Sequence, residues 1–166
     1  MNLHQLKEEI PEIFEKVKRD VRKVLGKHRA GLSLGLVEME SFQGILIGGM
    51  HYYPGPEIVM NKVPLRIILK SQPYEIVWAY TYHILLHEYI HSLGIIDEYQ
   101  CREITLRVTQ EIFEESDHPA MILAKNGIGV FIPNLEIKDK PPEWKLNKIP
   151  IEYVYGFDRE SQDYFS

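Results

Sequence analysis

The residues best suited to chemistry form one short stretch, His87-Glu88-Tyr89-Ile90-His91, which carries the motif HExxH. In a helix, residues four apart share one face and lie about 6 Å apart along the axis. Two imidazoles placed in this way can bind one tetrahedral Zn²⁺, with a water in the open position. Glu88 lies close enough to such a water to act as its general base without being a ligand. The motif therefore predicts metal-assisted hydrolysis, with His87 and His91 as zinc ligands and Glu88 as the catalytic residue.

The surroundings of the motif predict the helix that this chemistry requires. Residues 74–94 carry apolar side chains at helical spacing over a broad surface, which predicts a central helix that ends at Gly94. A second long helix is expected from about residue 97 to residue 115, with Asp97 as its N-cap and Gln100 completing a capping box. The two helices would form a hairpin with the histidines near its turn.

With Gly94 and Asp97 included, His87-Glu88-x-x-His91-x-x-Gly94-x-x-Asp97 resembles the extended signature of the metzincin zinc peptidases. The resemblance implies a zincin-like fold, a Zn²⁺ cofactor and a peptide or protein substrate. It also implies that the glycine turns the chain so that the residue three positions later is the third zinc ligand. That residue is Asp97 here, where most of the family has histidine. The family further carries a methionine turn beneath the metal, and Met121 is the one methionine downstream of the motif.

The third ligand has several candidates. Asp97 is also explained without a metal, as the N-cap of the second helix. In the other large zincin branch, the gluzincins, a glutamate of the following helix completes the site, and Glu111 has that spacing from His91. In a tight hairpin, however, Glu111 would lie about 20 Å from the turn and His91 only about 5 Å. Glu103 would lie about as far from the turn as His91, but it is expected on the solvent side of the second helix. Glu98 is close to the turn. Asp97 is therefore favoured, and the three glutamates remain alternative ligands.

Three further histidines could contribute to a site. His83 precedes His87 by one helical turn and shares its face, so it could line a cleft or lie on the helix surface. His51 falls in a predicted strand that could bind substrate through its backbone. His118, before Pro119, could hydrogen-bond a developing oxyanion, but it is expected to bond to backbone at a turn.

The rest of the chain predicts an α+β fold. Residues 2–28 read as an amphipathic helix that Pro11 breaks or kinks and Gly26 ends. Short β-like runs follow at 32–39, 44–52, 57–61 and 65–69, and a further strand is expected at 130–132. We therefore expect a zincin-like domain over residues 1–135, with a small twisted sheet, the central HExxH helix and a second long helix. Residues 136–166 are expected to form an extended tail packed on the same domain.

Composition restricts the class of protein. The chain of 166 residues fits one domain, and its net charge of −5 argues against nucleic acid or an anionic membrane as the partner. Cys101 is the one cysteine, which agrees with a reducing cytosol, and no signal peptide or spanning segment is visible.

A cytoplasmic zinc metallopeptidase is the expected function. The alternatives are a catalytically silent zincin-fold protein with a binding or regulatory role, and a zymogen-like form whose residues 133–166 cover the cleft. The sequence leaves the substrate and the oligomeric state open.

Overall fold

Five α-helices and a four-stranded sheet form the part of the chain that the computed structural model describes, residues 1–40, 46–132 and 150–160. The α+β class is therefore confirmed. The elements follow in the order α1 (Leu3–Leu25), β1 (Ser33–Val37), β2 (Gly49–His51), β3 (Glu57–Asn61), α2 (Lys62–Ser71), α3 (Tyr74–Ser92), α4 (Glu98–Ile112), α5 (Pro119–Asn126), a 3₁₀ turn (Ile128–Phe131) and β4 (Glu152–Tyr153).

The sheet has the order β2-β3-β1-β4. β1 and β3 are parallel, whereas β2 runs antiparallel to β3, and β4 runs antiparallel to β1. β2 is therefore one edge of the sheet among the described strands, and it packs beside α3. Residues of β1 and β3 are buried along almost their whole length, as is typical of strands covered by helices.

α3 is the central helix of the fold. It packs against α1, α2, α4, α5 and two strands, and side chains on every side of it are buried. A helix that is apolar all round has to be enclosed in this way, because no face of it is stable in water. Tyr80, Tyr82 and Tyr89 are fully buried. None of the helices in the described ranges is long and apolar enough to cross a membrane.

Three local predictions differ from the structure. Residues 65–69 are helical, because Asn61 caps α2 through Val63 N–H and the three-residue spacing of Leu65 and Ile68 buries both on one helix face. Residues 128–131 form a 3₁₀ turn, so the strand expected at 130–132 is absent. α1 continues through Pro11 without a break, since its long buried stripe holds the helix against the core despite the lost N–H donor.

The described part of the C-terminal segment, residues 150–160, packs against the domain. β4 pairs with β1, and the Phe157 ring stacks on Phe14 with centroids 4.0 Å apart. Lys18 Nζ donates to Asp158 Oδ1 over 2.8 Å, and both side chains are buried. Among the described strands, β4 is the sheet edge opposite β2, and Phe157 and Asp158 contact α1. The remainder of the predicted tail, 136–149 and 161–166, lies outside the described residues.

Candidate metal centre

A cleft of about 800 Å³ runs along one face of α3. His87, Glu88 and His91 all line it, as helical spacing predicts for this part of the motif. Residues 46–51, which include β2, line it beside α3, and residues of α4 and α5 also line it. The HExxH side chains therefore face the same cavity as the edge strand of the sheet.

Glu98, the first residue of α4, contacts both histidines of the motif. Its Oε1 lies 2.9 Å from His87 Nε2, and its Oε2 lies 3.0 Å from His91 Nε2. The hydrogen bond with His87 is the main cause that lowers the pKa of Glu98 to about 2, so the group is a carboxylate. Ligands of a tetrahedral zinc lie about 3.3 Å from one another, which is close to this spacing.

The tautomer of His91 explains why a cation could bind between its Nε2 atom and the Glu98 carboxylate. His91 Nδ1 lies 2.7 Å from the carbonyl oxygen of Ile95, and because a carbonyl only accepts, Nδ1 carries the proton. In a neutral ring, Nε2 then has a lone pair that faces a carboxylate oxygen of Glu98. Two acceptors at 3.0 Å repel unless a proton or a metal cation lies between them. The donor to Ile95 is also the kind of outer contact that orients histidine ligands in metal sites.

The turn between α3 and α4 brings Glu98 to this position. Gly94 has φ +102°, a conformation that residues with a side chain rarely adopt, and it allows the chain to reverse at once after α3. Asp97 is exposed, and its Oδ2 accepts from Gln100 N–H over 2.8 Å, so its side chain caps α4. In this arrangement Glu98, and not Asp97, is the carboxylate in contact with the histidines.

The other residues considered as ligands or supports lie elsewhere. Glu103 is exposed and accepts a hydrogen bond from Tyr99, while the exposed Glu111 contacts Arg107 on its own helix. Met121 is buried within α5, in helical conformation, so it forms no methionine turn. Neither glutamate nor Met121 lines the cleft.

Glu88 is buried at the side of the histidine pair. Its side chain is 5 % exposed, and burial, followed by the negative charge of Glu98, raises the pKa of Glu88 to about 8. A cation held by the imidazoles would favour the ionised form that a general base needs. Gly49 of β2 packs closely on this part of α3, since a Cβ there would lie 2.9 Å from Ile84 Cγ2, 2.9 Å from the Val59 carbonyl oxygen and 3.3 Å from Glu88 Cγ.

Cys101 lies one turn along α4 from Glu98. Its Sγ and a ring nitrogen of each motif histidine all lie within 4.8 Å of one another, so His87, His91 and Cys101 also form a group that could hold a metal. The thiol, however, donates to the His87 carbonyl oxygen over 3.3 Å, and burial raises the pKa of Cys101 well above its usual range. A coordinated metal deprotonates a thiol, so Cys101 remains a candidate fourth ligand beside Glu98.

The remaining histidines have separate positions. His83 lines the cleft and is 9 % exposed, and burial lowers its pKa to about 3, so the ring is neutral. His51 also lines the cleft, and its Nε2 contacts the Gly55 carbonyl oxygen over 2.7 Å. His118 is the N-cap of α5, where Nδ1 accepts from Ala120 N–H over 3.0 Å. The expectation of a backbone-bonded turn histidine at 118 agrees with this contact.

Comparison of the chain with protein-family models, with curated proteins and with solved structures gives no match. The resemblance to the metzincin signature therefore stays a prediction from residues 87–97. Any assignment of function depends on the residues of the cleft themselves.

Proposed function

We propose that this chain is a zinc-dependent peptidase of the zincin type, with the metal held by His87, His91 and Glu98. The observation that supports it most is the contact of one carboxylate with both Nε2 atoms of an HExxH pair. A buried glutamate lies beside that pair, at the wall of a cleft. Asp97 remains the alternative third ligand because of its place in the metzincin-like signature.

The proposed roles follow from position. A bound Zn²⁺ supplies Lewis acidity, which polarises a carbonyl and makes a water nucleophilic near neutral pH. The Glu88 carboxylate accepts a proton from the attacking water and returns it to the nitrogen of the leaving amine. The carbonyl oxygen of Ile95 holds His91 in the tautomer whose Nε2 is free to ligate.

The edge strand beside α3 supports an extended peptide as substrate. Among the described strands, β2 pairs with β3 alone, and residues 49–51 line the cleft. An unpaired strand edge offers backbone donors and acceptors to an extended chain whatever its side chains are. A peptide bound in this way would pass its carbonyl groups along the face of α3.

Metal content tests this proposal directly. We expect about one zinc per chain in the purified protein after zinc is supplied, and a loss of zinc in His91→Ala, because one of three protein ligands is removed. Elemental analysis of both proteins measures the outcome. Absence of zinc from the wild-type protein would overturn the proposed function.

The third ligand can be identified by a second set of variants. We expect Glu98→Ala to weaken zinc affinity by at least tenfold, since a ligand oxygen is lost. Asp97→Ala should keep the zinc and lower the free energy of unfolding by about 1 kcal/mol, through loss of the α4 cap. Competition with a chelator measures both affinities. The reverse result, with zinc lost only in Asp97→Ala, would restore Asp97 as the ligand.

A structural zinc is the second candidate, and the position of Cys101 favours it. His87, His91, Glu98 and Cys101 together would make four protein ligands, which is the closed arrangement of non-catalytic sites. Replacement of zinc by Co²⁺ separates the two functions, because only a thiolate ligand gives an intense near-ultraviolet charge-transfer band. We expect no such band, and an unaltered cobalt spectrum in Cys101→Ala.

A further inference from the structure

Arg29, in the loop between α1 and β1, is hydrogen-bonded to two segments of the chain that border the cleft. Its Nη1 donates to the carbonyl oxygen of Ser92, the last residue of α3, over 2.6 Å. Its Nη2 donates to the carbonyl oxygens of Pro54 and Gly55, over 2.7 and 2.8 Å. Both of these residues lie between β2 and β3. The guanidinium therefore joins the end of the helix that carries the histidines to the turn that follows the edge strand, and we call this contact the Arg29 bridge.

The Arg29 bridge fixes a geometry and does not neutralise a charge. Its three acceptors are carbonyl oxygens, and no carboxylate of a described residue pairs with it. A guanidinium is planar and holds its N–H donors in a rigid fork, so it keeps acceptors on two segments at a defined separation. The backbone N–H of Arg29 donates to Tyr89 Oη over 2.9 Å. The bridge is therefore anchored to α3 through its main chain as well.

The turn held by Arg29 is tied to β2. His51 is the last residue of β2, and its Nε2 lies 2.7 Å from the Gly55 carbonyl oxygen, which also accepts from Arg29. Gly55 N–H closes the turn by donating to the Tyr52 carbonyl oxygen over 2.8 Å. A movement of this turn away from α3 would therefore move the end of β2 with it.

β2 and α3 run side by side and in the same direction along the cleft. A Cβ on Gly49 would lie 2.9 Å from Ile84 Cγ2 and 3.3 Å from Glu88 Cγ. Farther along both segments, a Cβ on Gly94 would lie 3.5 Å from Tyr53 Cε2. Tyr53 lines the cleft and is 51 % exposed, so a ligand can reach this end of it. The bridge therefore acts at an accessible end of the cleft, where the strand meets the end of the helix.

We propose that Arg29 is a positioning residue, which keeps β2 at the distance from α3 at which the strand edge binds the backbone of an extended peptide substrate. The proposal rests on the proposed function, in which the cleft binds peptide. Arg29 itself does not line the cleft, so it acts through the turn and not by contact with substrate. Without the bridge, the end of β2 would shift relative to the histidines. A misplacement of about 1 Å is sufficient to impair a site of this kind.

Two thiols that differ only in peptide length test this role. Mercaptoacetamide binds zinc through its thiolate, and mercaptoacetyl-Ala-Ala-Ala-amide adds three residues of backbone to the same group. Titration calorimetry with zinc-loaded protein measures both dissociation constants, and zinc content is measured in each sample. In the wild type we expect the longer thiol to bind at least tenfold more tightly, through hydrogen bonds to the edge of β2. In Arg29→Met this ratio should fall to threefold or less, with zinc content and the affinity for mercaptoacetamide unchanged.

Two further variants separate positioning from charge and from stability. Arg29→Lys keeps the charge but replaces the fork by a single ammonium, so it should also lose most of the ratio. The same variant supplies the comparison if Arg29→Met does not fold. Ser92→Ala removes a buried hydroxyl that donates to the Tyr89 carbonyl oxygen over 2.6 Å, and it keeps the carbonyl oxygen to which Arg29 donates. It should destabilise the protein in urea unfolding but keep the tenfold ratio.

The outcomes distinguish the role of Arg29 from the proposed function. If zinc-loaded protein binds mercaptoacetamide but the ratio is the same in the wild type and in the Arg29 variants, the positioning role is overturned and the metal centre stands. A ratio kept in Arg29→Lys and lost in Arg29→Met overturns the bridge in favour of charge. An equal loss in Ser92→Ala overturns it in favour of stability. Zinc that binds neither thiol has no open position, which overturns the peptidase and the role of Arg29 with it.

Discussion

Replacing Glu88 by glutamine should leave zinc content unchanged and lower peptide hydrolysis by about 10³-fold or more. The glutamine would keep the shape of the buried side chain, but its amide does not accept a proton from water. Glu88 is not a ligand in the proposed site, so its replacement removes the proton transfer alone. Zinc analysis beside cleavage of a mixture of unmodified peptides measures both quantities in one preparation.

His87→Ala is the matched comparison for this variant. It should lose zinc and activity together, because a ligand and not the base is removed. With zinc removed by a chelator, the stability of Glu88→Gln should equal or exceed that of the wild type, since burial disfavours the charged carboxylate. Hydrolysis at the wild-type rate by zinc-loaded Glu88→Gln would contradict the proposed role of Glu88.

Lys18→Met should lower the free energy of unfolding by about 3–5 kcal/mol, since it leaves the buried carboxylate of Asp158 without its counter-ion. Lys18 Nζ donates to Asp158 over 2.8 Å and to Glu160 over 3.0 Å, and it forms an ion pair with Glu15 at 3.0 Å. Burial lowers the pKa of Lys18, but its contacts with these three carboxylates outweigh burial and raise the pKa above its ordinary value. Urea unfolding, followed by circular dichroism, measures the change.

An exposed ion pair of the same segment provides the control. Arg159 contacts Glu12 over 3.5 Å, and their side chains are 55 % and 81 % exposed. Arg159→Met should change the free energy of unfolding by less than about 1 kcal/mol, as is usual for exposed pairs. The double variant Lys18→Met/Asp158→Leu should recover part of the loss, because the unpaired charge is removed. Equal effects of Lys18→Met and Arg159→Met would show that the buried pair contributes no more than the exposed one.

Helical spacing is sufficient to predict the half of the site that is local in sequence. The face shared by His87 and His91, the end of α3 near Gly94 and the N-cap at Asp97 each depend on a pattern of a few residues. The strand predicted at 65–69 is wrong, because a short apolar run is compatible with either a strand or a helix. The structure has a helix there, and the Asn61 side chain caps its N-terminus.

The remainder of the site depends on tertiary geometry that no local pattern encodes. Whether Asp97 or Glu98 turns toward the histidines is set by the dihedral angles of a single turn, and both residues have carboxylates. Thr105 reads as one more position of the buried stripe of α4, and only the packing of α4 on α3 places it at a cleft. The close approach of Gly49 to Ile84 and Glu88 of α3 likewise depends on a strand far away in the sequence.

The proposed ligands all belong to one helical hairpin, since His87, His91 and Glu98 lie within twelve residues of each other. Closing so short a loop costs little chain entropy, whereas bringing β2 against α3 requires the fold as a whole. The arrangement of the proposed ligands therefore depends on the hairpin alone, whereas the position of β2 depends on the whole fold. If the chain is the proposed zinc peptidase, substitutions in β2 should alter which peptides it cleaves while the hairpin keeps its zinc.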